Sequence, residues 1–316
     1  MQRLSLGRSL LGSAAVVTLL LGCGGLNGPP FVSSEGGAAA INATSGELLY
    51  VANDGASEGV SIVALPRGRH VARITNIGAP TGICSDASGN VWVSAYDDAT
   101  RKYHLDKFVH GGTKPTERLA VPDGSFGCSV DPATGDLATW VASAGSAGYV
   151  EVFPGARRGK PVVYVTDFEP VSATYDNQGN IFADGIVNSG DFIFEELSKG
   201  SAHFSVVRLN KPADNPGSVQ WDGKYVVVGV GFISDPPVLY RLRISDYVAT
   251  VAQRVSLQDI GSPARFWIAD GNVVATQHAY GVRRIGLYGY PSGGKQLATF
   301  SGFHKPVGMT VSVPPK

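Results

Sequence analysis

Pro80-Thr-Gly-Ile-Cys-Ser-Asp-Ala-Ser-Gly-Asn-Val-Trp-Val-Ser-Ala95 is the stretch that decides the fold. Asp86-Ala-Ser-Gly89 carries the chemistry of a tight turn. The aspartate can accept bonds from the backbone that follows it, and glycine enters positive φ without steric cost. Asn90-Val-Trp-Val93 then opens a β-branched and aromatic run that suits a pleated strand. The stretch predicts two short strands joined by a hairpin turn.

The same unit recurs down the chain. Asp86, Asp131 and Asp176 stand 45 residues apart, Asp222 follows after 46 and Asp270 after 48. Each precedes a glycine (Gly89, Gly135, Gly179, Gly223, Gly271), and each glycine precedes an apolar run such as Asn180-Ile-Phe-Ala183. A period near 45 residues marks a repeat architecture. Further strand-like runs fill each period, among them Lys102–Phe108 and Thr116–Ala120, then Tyr149–Phe153 and Val162–Val165. No stretch carries a helical period. Four strands in each 40–50 residues, roughly, make one blade of a β-propeller.

Units open at Pro80, Ser125, Pro170, Pro216, Pro263 and Pro306. The last opening, Pro306-Val-Gly-Met-Thr-Val-Ser-Val313, has no second strand after it. At the other end, Glu47–Ala52, Val60–Leu65 and His70–Ile74 read as second, third and fourth strands without a first. The expected fold is all-β: a six-bladed β-propeller, four antiparallel strands per blade, with its ring closed by the C-terminal strand. Gly37-Ala-Ala-Ala-Ile-Asn42 is the rival for that closing position. Closure removes the open sheet edge that a propeller must protect.

The Pro-x-Gly and Asp-x-x-Gly-Asn-Val pattern resembles the NHL-type repeats of six-bladed propellers, over nearly the whole chain after residue 46. The third strands depart from that family in lacking its Asn-x-Arg-Ile. Related propellers of the SMP-30 and gluconolactonase type hold a divalent cation with Glu, Asn and Asp at the openings of their first strands. The corresponding positions here are Thr81, Phe126, Val171, Gly217, Ala264 and Val307. None is a carboxylate or an amide, so the resemblance implies the architecture without the metal site. No metal and no cofactor are expected.

The N-terminus reads differently. Arg3 and Arg8 precede Leu10–Leu21, an apolar run shorter than the roughly 20 residues of a spanning helix. The run ends at Leu20-Leu-Gly-Cys23, which resembles the lipobox of bacterial lipoproteins. That resemblance implies cleavage before Cys23 and acylation of Cys23, with several chains giving stable anchoring. Gly24 follows the cysteine, where a retention signal would place Asp. In a two-membrane bacterium the resemblance therefore points to the outer membrane. The expected organisation is a signal peptide over 1–22, a flexible tether over 23–37 and a single propeller domain over 38–316.

In a chain of 316 residues, 26 Lys+Arg balance 26 Asp+Glu, so no global field points to nucleic acid. Cys84 lies two residues before its turn aspartate and Cys128 three before its own. Opposite parity places them on opposite faces of equivalent strands in adjacent blades, which makes them candidates for an inter-blade disulfide in an exported protein. Four residues are candidate ligand contacts. Asp97 and Asp184 are read at strand ends, His278 at the end of a second strand, and Arg265 in a first strand facing the axis, where it could attract an anion. There is no Gly-x-Ser-x-Gly, no phosphate-cradling Gly-Lys-Ser/Thr and no Cys-x-x-Cys-His. The expected function is a monomeric, lipid-anchored propeller of the cell envelope that binds a small molecule or an envelope protein without catalysis. The alternative is an envelope hydrolase or lactonase-like enzyme with an unfamiliar site, because the fold alone does not choose between them.

Overall fold

Aspartate-led hairpins set the blades. Asp86 Oδ1 accepts the N–H groups of Ser88 and Asn90, each at 2.9 Å, and Asp86 Oδ2 accepts the Asn90 amide at 2.8 Å. Asp176 repeats this with Gln178 and Asn180. The carboxylate thus satisfies the orphan donors of the turn. Gly89 takes φ 78°, and a Cβ there would sit 2.1 Å from the Val313 carbonyl oxygen, so only glycine fits. The last hairpin is built otherwise. Asp270 and Gly271 both have positive φ and join paired Ala269 and Asn272, which makes a two-residue turn of the I′ kind.

The computed structural model describes residues 46–314 except 56, 123, 143–146, 232–236, 262–264 and 278–282. The leader, Cys23, the tether and the rival strand over 37–42 lie outside the described residues, as do Ala264 and His278.

In the first blade, β1 (Leu48–Asn53), β2 (Val60–Ala64) and β3 (Arg69–Ile74) run outward. The second holds β4 (Ala79–Ser85), β5 (Val91–Asp97), β6 (Lys102–Phe108) and β7 (Glu117–Val121). The third holds β8 (Cys128–Val130), β9 (Leu137–Ala142), β10 (Gly148–Phe153) and β11 (Val162–Thr166). The fourth holds β12 (Glu169–Tyr175), β13 (Ile181–Ile186), β14 (Phe192–Leu197) and the two-residue β15 (Ser205–Val206). The fifth gains an extra outer strand. There β16 (Arg208–Leu209) lies parallel to the edge of a sheet made by β17 (Asn215–Trp221), β18 (Val226–Gly231), β19 (Val238–Ser245) and β20 (Val248–Ser256). The sixth holds β21 (Phe266–Ala269), β22 (Asn272–Thr276), β23 (Arg284–Gly289) and β24 (Ala298–Ser301). Last, β25 (Pro306–Ser312) becomes the innermost strand of the first blade, with Leu48 opposite Ser312 and Ala52 opposite Gly308. The chain is an all-β, six-bladed propeller closed by its C-terminal strand.

Strands buried on both faces read as near-continuous apolar runs, as β1 and β18 do. In β1, Tyr50 and Ala52 pack toward the second blade, while Leu49 and Val51 pack toward the sixth. Each of the six buried clusters lies between two adjacent blades, and the one containing Phe300, Met309 and Val311 joins the sixth to the first. The ring is therefore held by face-to-back burial, the dominant favourable contribution to folding.

Candidate functional site

The inner strands begin with a repeated irregularity. Register shifts fall after Pro80, Pro170 and Pro216, and another falls where Asn53 meets Pro306. A bulge lets proline open the strand and re-aims the residue that follows it. Val171, Gly217 and Val307, each next after such a proline, line a channel on the ring axis. The cavity is small, about 70 Å³, and all six inner strands contribute to its wall. One expectation for this ring needs correction. Thr81 does not face the axis: its hydroxyl donates to the Ser125 carbonyl and bonds Ser94 Oγ, and Gly82 takes its place in the wall. Outside the six opening positions an amide also reaches the wall, at Gln220. That amide is already committed, donating to the Ile268 carbonyl at 2.9 Å and accepting the Ile268 N–H at 2.6 Å.

Sequence reading missed the serines. Ser129 Oγ accepts the Tyr175 N–H, Ser172 Oγ the Val219 N–H and Ser218 Oγ the Phe266 N–H. Each hydroxyl stitches one inner strand to the next blade's inner strand, satisfying an N–H that no ladder reaches. The available signal is a serine shortly after the opening of successive first strands, at Ser85, Ser129, Ser172 and Ser218.

Arg265 and Asp184 stand out against this neutral wall. Arg265 immediately precedes β21 and keeps part of its surface open to the channel, while its Nη1 donates to the Val307 carbonyl at 2.9 Å. Burial lowers the pKa of its guanidinium and the charge of Asp184 raises it. Asp184 is not at a strand end. It lies within β13 opposite Ser172, fully buried, and its Oδ2 accepts the N–H of Gly217 at 3.2 Å. It thereby satisfies the donor that the bulge of the fifth blade frees. Its Oδ1 has no hydrogen-bond partner among the described residues. Burial pushes its carboxyl well above the usual carboxylate range, against the opposing pull of the Gly217 and Ser172 N–H groups and of Arg265. Two sequence candidates from different blades thus feel each other's charge, Arg265 on the channel wall and Asp184 buried within its own blade.

Asp97 is elsewhere. Its carboxylate accepts the N–H groups of Ala99 and Thr100 and closes its own hairpin. A bond from the Thr100 side chain, then the two N–H bonds, hold its pKa below the ordinary value. Cys84 and Cys128 form a disulfide with Cα atoms 5.5 Å apart, joining β4 to β8. Beside it, a Cβ on Gly82 would lie 2.4 Å from Gly127 Cα, so glycine allows the two inner strands their close approach. Among the described residues no three His, Cys, Asp or Glu side chains gather as metal ligands.

Fold and channel together define the class: a six-bladed β-propeller with a narrow axial cavity whose lining, among the described residues, carries one charged side chain, Arg265. No family model matches the chain, and no curated protein matches it in sequence. Solved structures do resemble it. TolB from Acinetobacter baumannii is 12% identical, with a TM-score of 0.58 over 84% of this chain and 66% of that one. A Lactobacillus plantarum protein is 13% identical, with a TM-score of 0.56 over 85% of this chain and 100% of that one. Hydrazine synthase from Kuenenia stuttgartiensis is 14% identical, with a TM-score of 0.53 over 73% and 70% of the two chains. Likeness at these identities concerns the fold alone.

Proposed function

We propose that this chain is an exported, lipid-anchored propeller of the cell envelope that binds a small anionic ligand at its axial channel, without catalysis. The observation that carries the binding site is Arg265. Its guanidinium can donate five hydrogen bonds and makes one, to Val307, among the described residues. Burial shifts Asp184 toward its neutral form, so the charge of Arg265 is incompletely offset. A carboxylate or similar group fits a planar guanidinium in a cavity of about 70 Å³. The small volume admits one anionic group, with the remainder of a larger ligand left outside. Export and anchoring rest on Leu20-Leu-Gly-Cys23 and on the short apolar run before it.

Calorimetric titration with acetate and with inorganic phosphate tests the site. Saturable binding of either, weakened at least about tenfold in Arg265→Gln, is the expected result. Equal binding by the variant, or none by the parent chain, overturns the site. Mass spectrometry of the mature N-terminus tests the anchor: an acylated Cys23 is expected, and a free cysteine or a start elsewhere excludes it.

A further inference from the structure

At the hairpin end of the ring, the fourth and fifth blades part and leave a cleft of about 380 Å³, a volume of ligand size. Gln178 and Glu196 line it from one blade, and Trp221, Tyr225 and Arg243 from the other, over a floor that includes Phe182. Trp221 ends β17 and is half-buried against the cluster of Phe182, Val219 and Val226. A half-buried indole ordinarily finds a partner for its N–H. Trp140 does so, donating to the Val171 carbonyl at 3.0 Å, and the ring of Trp92 is covered by Lys107 at 5.5 Å. Tyr225 is covered as well, by Arg241 at 4.6 Å and Lys224 at 5.3 Å. Among the described residues the Trp221 indole has no hydrogen bond, no cation and no aromatic partner. It is an apolar plate with an unused donor on the wall of a cleft.

The remaining wall chooses the ligand class. Asp176, Glu196 and Asp246 stand against Lys224 and Arg243, so the cleft has no excess of positive charge for a phosphate-rich ligand. Amide, carboxylate and guanidinium groups offer both donors and acceptors, which a hydrocarbon ligand would leave unsatisfied. A pyranose has an apolar C–H face to lie on the indole and vicinal hydroxyls that both donate and accept. We propose that the cleft between the fourth and fifth blades is a saccharide-binding site, with Trp221 as its platform and Gln178, Glu196 and Arg243 as its hydroxyl contacts. This site is separate from the axial channel and independent of the reading given to Arg265.

The test is titration of the full chain with glucose, galactose, N-acetylglucosamine and chitobiose to about 50 mM, read by tryptophan emission and calorimetry. At least one sugar should give a saturable change, and Trp221→Phe should weaken it at least about tenfold. Arg243→Ala and Gln178→Ala alter exposed side chains and keep the test open should the tryptophan variant fold poorly. Each should cost several-fold in affinity, while Arg265→Gln should cost nothing. Absence of sugar binding over that range overturns the proposal, as does sugar affinity unchanged in all three cleft variants. Loss of sugar binding in Arg265→Gln, or binding of inorganic phosphate in the cleft in place of sugar, overturns it equally.

Discussion

Asp184 and Glu195 are acids buried on adjacent strands of the fourth blade, and their pKa values move in the same direction. Glu195 is 6% exposed; burial first, and the charge of Asp167 second, push it up to about 7. The folded chain therefore holds a proton on Glu195 from about pH 4.5 to about pH 7, where the unfolded chain has released it. More protons bound in the folded state means that stability falls as pH rises through this window. At about 1.4 kcal/mol per unit, the loss attributable to Glu195 is at most about 3–4 kcal/mol. Urea midpoints at pH 5 and pH 8 should differ less in Glu195→Gln than in the parent, with the variant the more stable at pH 8. An unchanged difference would refute this assignment. Asp184 was legible as a candidate but not as a buried one. Its burial depends on Ser172 beside it and Gly217 of the next blade, and neither is near it in sequence.

The outer strands carry the clearest element-scale contrast. An unpaired edge is normally blunted by charge, shortness or cover. The strand β3 carries Arg69 and Arg73, β7 carries Glu117 and Arg118, β15 has two residues, and β20 is covered by β16. The strand β11 reads Val-Val-Tyr-Val-Thr without a charge, and Val162, Val163 and Val165 are 46%, 47% and 65% exposed. It is the edge most open to pairing with another chain. Val163→Lys should leave the melting temperature nearly unchanged, within about 0.5 kcal/mol in stability. It should also lower self-association at high concentration, as read by light scattering. Association unaltered by the charge would show that β11 is not the sticky edge. Strand-like runs were readable along the chain because alternation and β-branching are local. That β11 ends a sheet and β10 does not is set by the pairing order.

At the scale of the molecule, β25 decides whether the ring closes. It pairs with β1, donates from Thr310 to Ser85 at 2.8 Å, and accepts from Ser85 at the Val311 carbonyl at 2.9 Å. Met309 and Val311 fill the interface between the sixth and first blades. Deleting Pro306–Lys316 removes two core side chains and an inner ladder at once. A loss of several kcal/mol is expected, roughly 10 °C or more in a thermal melt. A truncated chain that melts with the parent would mean that residues 37–42 supply the closing strand. The disulfide between Cys84 and Cys128 clasps the second blade to the third, two blades away from that seam.

The sequence alone determined the number of blades and their order. A 45-residue period, a turn aspartate with its glycine and apolar runs of strand length are local signals, each readable without knowing what lies beside it. It narrowed the closing strand to two candidates, residues 306–313 and residues 37–42, and the pairing of β25 with β1 is what the structure adds. Tertiary structure alone decided which polar residues share a site. Arg265 and Asp184 lie 81 residues apart in the chain, and they feel each other's charge because the ring brings a first strand of one blade near a second strand of another. Trp221 reads in sequence as one more strand residue. Only the parting of two hairpins from neighbouring blades leaves its indole without a partner. Repeats specify what each blade buries; the geometry of the ring specifies what is left exposed between them.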